Sequence, residues 1–192
     1  MTGAQRQCLI LMAGGAGVGK TRLSRELVRR LANAVLLDKD RMLGPWVDRV
    51  LIAMGVEVDR DSPYYWQHVR PGEYVTLETI AYDHLELGKV AVIDAPLRPE
   101  LSDPVWVARV RRECAARGAG LVAVWVMASP ETTRQRMQVR AEARDLWKLA
   151  HWEEFLRRQP YDPPVGASLV VTNDAADWLE PVLNTILQAI AL

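Results

Sequence analysis

Residues Cys8 to Thr21 read CLILMAGGAGVGKT, a continuous apolar run followed by a loop in which Gly14 to Thr21 fits G-x-x-x-x-G-K-[ST] at every fixed position. A buried strand that runs into such a loop and out into a helix predicts a phosphate cradle. Its residues are Gly14, Gly15, Ala16, Gly17, Val18, Gly19, Lys20 and Thr21. The glycines let successive backbone N–H groups curl around a polyphosphate, and the helix opening near Lys20 adds its positive N-terminal dipole. Lys20 is placed to reach the β- and γ-phosphates, and the Thr21 hydroxyl to sit on Mg²⁺.

Outward from this stretch, Leu23, Leu27, Val28 and Leu31 recur at helical spacing through Arg22–Ala32, and Ala34–Asp38 reads as a short buried strand. Gly44–Pro63 is rich in turn residues and charge and predicts an irregular excursion on the substrate side. A break at Pro71-Gly72 precedes a helix over Glu73–Leu87, stopped by Gly88, and Val90–Asp94 is the third strand. Ser102-Asp103-Pro104 opens a helix to about Arg117, and Leu121–Met127 is the fourth strand. Ser129-Pro130-Glu131 opens an arginine-rich helix reaching Arg144, with a short helix over His151–Arg158, a proline-rich connection over Gln159–Gly166, a fifth strand over Ser168–Thr172 and a closing helix over Trp178–Ile190. Strands of near-continuous apolar character separated by helices imply an α/β fold whose parallel sheet is covered on both faces. Ligands gather at the carboxyl ends of such strands, so the loop, Asp38, Asp40, Asp94, Thr172 and Asn173 are expected along one rim.

A chain of 192 residues with 49% apolar content suits one domain over 1–192, with a lid over roughly 130–158 and a substrate-side segment over roughly 41–72. Twenty-four basic residues balance twenty-four acidic ones, which removes the global positive field that a long nucleic acid would need. Cys8 and Cys114 belong to no Cys/His cluster and are expected as reduced core thiols. No apolar run approaches the ~20 residues of a membrane span, so a cytoplasmic protein with no membrane partner is expected.

The candidate chemistry lies in a few acidic and basic residues. Asp38 and Asp40 flank Lys39 in LLDKDR, at the phosphate-facing end of the second strand. One carboxylate can take the proton of an acceptor hydroxyl while its partner orders Mg²⁺ through water. Asp94 ends VAVID and is a second candidate for the metal's water shell. Arg136, Arg140 and Arg144 follow one another at spacings of four, a basic column on one helical face that suits a lid closing over a triphosphate. Trp46, Tyr64, Tyr65 and Trp66 cluster in the segment ending at Arg70 and could stack on a ring-bearing acceptor. Trp46, Trp66, Arg70 and Arg98, together with Asp40, form the candidate acceptor set.

GGAGVGKT, LLDKDR, the stretch from Gly88 to Pro96 and ASPETTRQRMQVR together resemble the small P-loop kinases of the nucleoside-monophosphate-kinase-like group. The likeness is greatest to the zeta-toxin and polynucleotide-kinase-like AAA_33 set, with similarity to chloramphenicol phosphotransferase, shikimate kinase and gluconate kinase. It implies a three-layer P-loop NTPase fold with five parallel strands in the order 2-3-1-4-5, a helical lid, and ATP and Mg²⁺ as cosubstrates. It further implies Asp40 as base, Asp38 on the metal side, Arg136 and Arg140 as lid arginines, and Thr172 and Asn173 near the adenine. The function implied is transfer of the γ-phosphate of ATP to a hydroxyl of a small-molecule acceptor such as a nucleoside, sugar or antibiotic. Two alternatives stay open: a polynucleotide or nucleotide kinase, and a nucleotide-dependent ATPase switch with no small-molecule acceptor. Polynucleotide kinases place an arginine three residues after the base, where this chain has Leu43.

Overall fold

Five strands form one all-parallel sheet: β1 (Cys8–Gly14), β2 (Ala34–Asp38), β3 (Val90–Asp94), β4 (Gly120–Met127) and β5 (Leu169–Thr172), side by side in the order β2-β3-β1-β4-β5. The computed structural model of the chain describes residues 7–159 and 162–191. β1 is central and wholly buried because every residue from Cys8 to Gly14 is apolar or glycine and both faces are covered. Burying a single Leu or Ile side chain of this strand contributes about 1.5–3 kcal/mol. One face carries Leu9, Leu11 and Ile93 against Leu77, Ala81 and Leu85 of α3 (Arg70–Glu86). The other carries Ile10, Met12 and Val124 against Leu23 and Leu27 of α1 (Lys20–Arg30) and Leu183 and Ile186 of α9 (Leu179–Ala191).

The structure departs from the sequence reading at four places. Gly44–Pro63 is not irregular throughout, for α2 runs from Lys39 to Ala53 straight through Gly44 and Pro45. Pro45 removes a helical hydrogen bond. Val47 and Leu51 nevertheless pack on Tyr65 and Val69, and Arg60 donates to the Gly44 carbonyl (3.0 Å) and to Asp48 (2.6 Å), so tertiary contacts carry the helix across the break. Pro71 does not interrupt the next helix either. A π-helical turn (Tyr65–Val69) leads into α3 at Arg70, which leaves Pro71 in the first turn, where its missing N–H is harmless.

The third difference lies in the segment expected as a lid. α6 (Pro130–Arg140), capped by Ser129, ends at Arg140 because Ala141 turns left-handed (φ 50), and α7 (Ala143–Ala150) starts afresh. Arg144 is therefore not part of the Arg136–Arg140 column, and its side chain lies outside the described residues. α8 (Trp152–Arg158) follows directly. Between β3 and β4 stand a short α4 (Arg98–Ser102), which the sequence did not signal, and α5 (Pro104–Ala116), which Asp103 caps as the sequence reading expects. Among the described residues no helix is long and apolar enough to cross a membrane.

Candidate functional site

The loop between β1 and α1 opens into a cleft of about 420 Å³ at the carboxyl edge of the sheet, where Lys20, Thr21, Asp38, Asp40, Asp94, Arg136, Arg140 and Asn173 all line the wall. Gly19 has φ 97 and precedes α1 without a side-chain cap, which leaves the first amides of that helix for a ligand. A Cβ on Gly19 would overlap the carboxamide of Asn173, so any side chain there is strained and must displace Asn173. Ala16 and Gly17 also line the cleft, and Lys20 Nζ donates to the Gly15 carbonyl at 2.7 Å.

Parallel pairing puts Asp38 directly opposite Asp94 at the ends of β2 and β3. Asp38 caps α2 by accepting from the Arg41 amide at 3.2 Å, and the Thr21 hydroxyl lies on the same cleft wall as Asp94. Burial pushes the Asp94 carboxyl above the usual aspartate range, against the pull of Lys20 and Thr21, and the Asp38 and Asp40 charges add to the push. Its buried Oδ2 has no hydrogen-bond partner among the described residues. A magnesium ion takes one or two carboxylates and completes its octahedron with phosphate oxygens and water. Thr21, Asp94 and Asp38 fit such an ion, and the orphaned Oδ2 is the atom it would satisfy. Among the described residues no cluster of three or more His, Cys, Asp or Glu could hold a metal by itself, so nucleotide phosphates would have to share it.

Asp40 stands at the first turn of α2 with its side chain half exposed. Lys39 Nζ lies 3.2 Å from Asp40 Oδ1 and 3.2 Å from Glu73 Oε1, and Arg60 Nη1 lies 3.9 Å from Asp40. Glu73 in turn accepts from the Tyr65 hydroxyl. The sequence did not single out Lys39, Arg60, Tyr65 or Glu73 for this network. Lys39 sits between the two aspartates in LLDKDR, a usable signal, whereas Glu73 reads as an ordinary exposed first-turn acid and only tertiary packing buries it to 3% exposure.

The two arginines expected on the lid are held differently. Arg136 donates to the Val18 carbonyl (3.3 Å) and to the carbonyl (2.9 Å) and carboxamide oxygen (2.8 Å) of Asn173, whose own Nδ2 donates to Val18 O at 2.6 Å. Burial lowers the pKa of the Arg136 guanidinium; Asp174 opposes that shift and nearby Arg22 adds to it. Arg140 donates Nε and Nη2 to the two oxygens of Asp145 at 2.8 and 2.7 Å. Burial pulls the Arg140 guanidinium down, but the Asp145 hydrogen bonds and the Asp145, Glu142 and Asp40 charges carry it above its ordinary value. Met137 of α6 and Trp152 and Phe155 of α8 pack together and onto Ala16, which docks both helices against the loop.

Other candidates stand apart. Thr172 ends β5 exposed and outside the cleft wall, unlike its neighbour Asn173. Trp46 is exposed at 63% on α2, and Trp66 lies with the Arg70 guanidinium 4.5 Å from its ring centroid; neither lines the cleft. Arg70 is engaged by both oxygens of Glu100 (2.6 and 2.9 Å), and Arg98 donates to the Asp162 carbonyl at 2.5 Å. In their place the cleft gains Arg22, Asp145, Lys148 and Trp178, with Arg22 5.9 Å from the Trp178 ring centroid.

Solved structures share this fold across nearly the whole chain. A candidate kinase of Chloroflexus aurantiacus is 21% identical, with 97% of this chain and 98% of that one covered and a TM-score of 0.63. The APS kinase CysC of Mycobacterium tuberculosis, solved with AMPPNP and APS, is 15% identical over 97% and 99% with a TM-score of 0.64. The tunicamycin resistance protein of Deinococcus radiodurans is 18% identical over 97% of each chain with a TM-score of 0.57. No curated protein matches the sequence. The AAA_33 family model, an AAA domain, matches residues 9–161, and the chain, with its P-loop and its 2-3-1-4-5 parallel sheet, belongs to that family.

Proposed function

We propose that the protein is an ATP-dependent phosphotransferase that moves the γ-phosphate to a hydroxyl of a small molecule. One observation carries the reading: Asp40 stands in the same cleft as Lys20, Thr21 and Asp94, beneath Arg136 and Arg140 of the lid. A nucleotide switch needs the loop and metal residues, but it does not need a carboxylate beyond them or a docked cationic cover. The kinases among proteins of the same fold, one of them an APS kinase solved with AMPPNP and APS, support the same direction. Leu43 is packed between two apolar clusters, which weighs against an arginine-like anchor for the phosphate of a polynucleotide end at that position.

On this reading the loop amides and Lys20 bind the β- and γ-phosphates, and Arg140 faces the transferred group. Asp40 accepts the proton of the acceptor hydroxyl. The acceptor oxygen then bonds to the γ-phosphorus, the bond from that phosphorus to the β,γ-bridging oxygen breaks, and ADP leaves with the electron pair. Thr21, Asp94 and Asp38 would hold Mg²⁺, which supplies positive charge to the phosphate oxygens. The docked lid excludes water, so that attack by the acceptor competes with hydrolysis.

The test is incubation with γ-labelled ATP, Mg²⁺ and pooled nucleosides, sugars, amino alcohols and antibiotics, beside Lys20→Ala and Asp40→Asn controls. Label should enter an acceptor with the wild type and fall by about 10²-fold or more in each control. Full acceptor labelling by a folded Asp40→Asn protein would remove Asp40 as the base. Phosphate released only to water would move the assignment to an ATPase switch.

A further inference from the structure

The helices over the cleft carry less net charge than their two arginines suggest. Arg140 gives Nε and Nη2 to the two oxygens of Asp145, and Asp145 is fully buried, so the two charges cancel as a unit. Arg136 directs its donors to the Val18 carbonyl and to two oxygens of Asn173. Phosphoryl transfer needs positive charge held against the oxygens of the moving group, and a pair that is already neutral supplies little of it. α7 brings a further cation to the same wall, Lys148.

The packing of α7 fixes which way this lysine faces. Asp145 and Lys148 are three residues apart, which puts them on one face of the helix with their Cβ atoms about 5–6 Å apart. Asp145 is tied to Arg140, and Leu149 packs on the cluster of Met137, Trp152 and Phe155. The Trp147 ring stacks on His151 with centroids 4.9 Å apart, the Arg158 guanidinium lies 5.2 Å from the same ring, and His151 Nδ1 donates to the Trp147 carbonyl at 3.0 Å. Leu146, 65% exposed, marks the solvent side. Resting on the phosphotransferase reading, we propose that Lys148 is a further catalytic residue, whose ammonium contacts the γ-phosphoryl oxygens beside the Arg140–Asp145 pair. It forms no bond to phosphorus and gives up no proton. It holds a compact positive charge against those oxygens while the acceptor oxygen attacks and ADP leaves. Asp145 is a positioning residue on this account: it fixes the Arg140 guanidinium and screens it from a second cation one helical turn away.

Two substitutions in the full chain separate charge from packing at this half-buried position: Lys148→Gln removes the charge and Lys148→Arg keeps it. With a labelled acceptor, ATP and Mg²⁺, Lys148→Gln should lose about 10²-fold in kcat/KM, and Lys148→Arg should recover about tenfold or more of that loss. Both should melt close to the wild type. Binding gives a readout independent of turnover. Lys148→Gln should bind ADP with Mg²⁺ to within about twofold of the wild type, and a non-hydrolysable ATP analogue about tenfold more weakly, since only the analogue carries the γ-phosphate. Leu146→Ala, on the solvent side of α7, should change neither affinity. Wild-type transfer by Lys148→Gln, equal weakening of ADP and the analogue, or the same loss in Lys148→Arg would overturn the proposal. A melting temperature of Lys148→Gln far below the wild type marks a structural role and overturns it as well. If phosphate passes only to water, the phosphotransferase reading falls, and the ratio of analogue to ADP affinity alone decides whether Lys148 meets the γ-phosphate.

Discussion

Asp38 and Asp94 are direct register partners at the ends of two parallel strands, so the fold itself brings two carboxylates to one edge. One of them is buried and carries an oxygen without a hydrogen-bond partner among the described residues. Like charges at that separation oppose the folded state unless a cation joins them.

For the protein without nucleotide or Mg²⁺, Asp94→Asn is expected to raise stability at neutral pH. The folded carboxyl titrates above its ordinary 3.8, so the wild type holds its proton more tightly when folded. That contribution is fully present below 3.8 and is lost as pH rises through the raised folded value. The advantage of the variant should therefore be absent at the acid end, grow upward from there and then level off. Urea unfolding across pH 3 to 8 reads this directly, and Mg²⁺-dependent turnover should fall in the same variant by about 10²-fold.

Asp145 is fully buried and its oxygens are both taken by Arg140. Arg140→Ala leaves that acid without its partner and should cost about 1–3 kcal/mol in unfolding free energy. Removing Asp145 as well should return part of the loss, and a double-mutant cycle measures the coupling. Both proteins are expected to lose turnover, which separates the stabilising role of the pair from the action of the guanidinium.

Lys39 and Glu73 form a pair in which both side chains are about 5% exposed or less. Lys39→Met strands Glu73 and should cost about 3–5 kcal/mol, whereas a Lys39→Met, Glu73→Leu double variant should be markedly more stable than the single one. Chemical denaturation checks the order. Equal stability of the single and double variants would show that the pair contributes nothing through its charges.

Gly19→Ala forces a left-handed alanine and displaces Asn173. The backbone term alone is about 1–2 kcal/mol, and the nucleotide-induced rise in melting temperature should disappear.

Burial pushes the Cys114 thiol up to about 11, and Cys8 is buried too. Neither should react with a thiol reagent at pH 8 until denaturant is added. Cys114 contributes stability that is present below its ordinary 9.0 and lost as pH rises through about 11, so alkaline unfolding should be less steep in Cys114→Ala.

The strands were legible because a parallel sheet writes itself as apolar runs, and the Gly14–Thr21 loop because its geometry tolerates so few residues, whereas the strand order came only from the family resemblance. Asp38, Asp40 and Asp94 followed from strand ends alone. The helix through Pro45 was not legible, since local propensity opposes it and only Val47, Leu51 and Arg60 sustain it. The end of the arginine column at Ala141 was hidden for the opposite reason: alanine favours helix, and the Arg140–Asp145 bond that accompanies the turn spans residues that no helical spacing pairs. Arg70 and Arg98 looked available in the sequence because their partners, Glu100 and the Asp162 carbonyl, lie 30 and 64 residues away.

The bond from Asn173 to the Val18 carbonyl joins positions 155 residues apart and has a consequence for synthesis of the chain. The phosphate loop is synthesised before its neighbours in the finished sheet, β3 and β4, and before its buttress at Asn173. The nascent β1 therefore stays an unpaired apolar strand until β3 is made, and its loop becomes a finished cradle only when the segment carrying Asn173 docks.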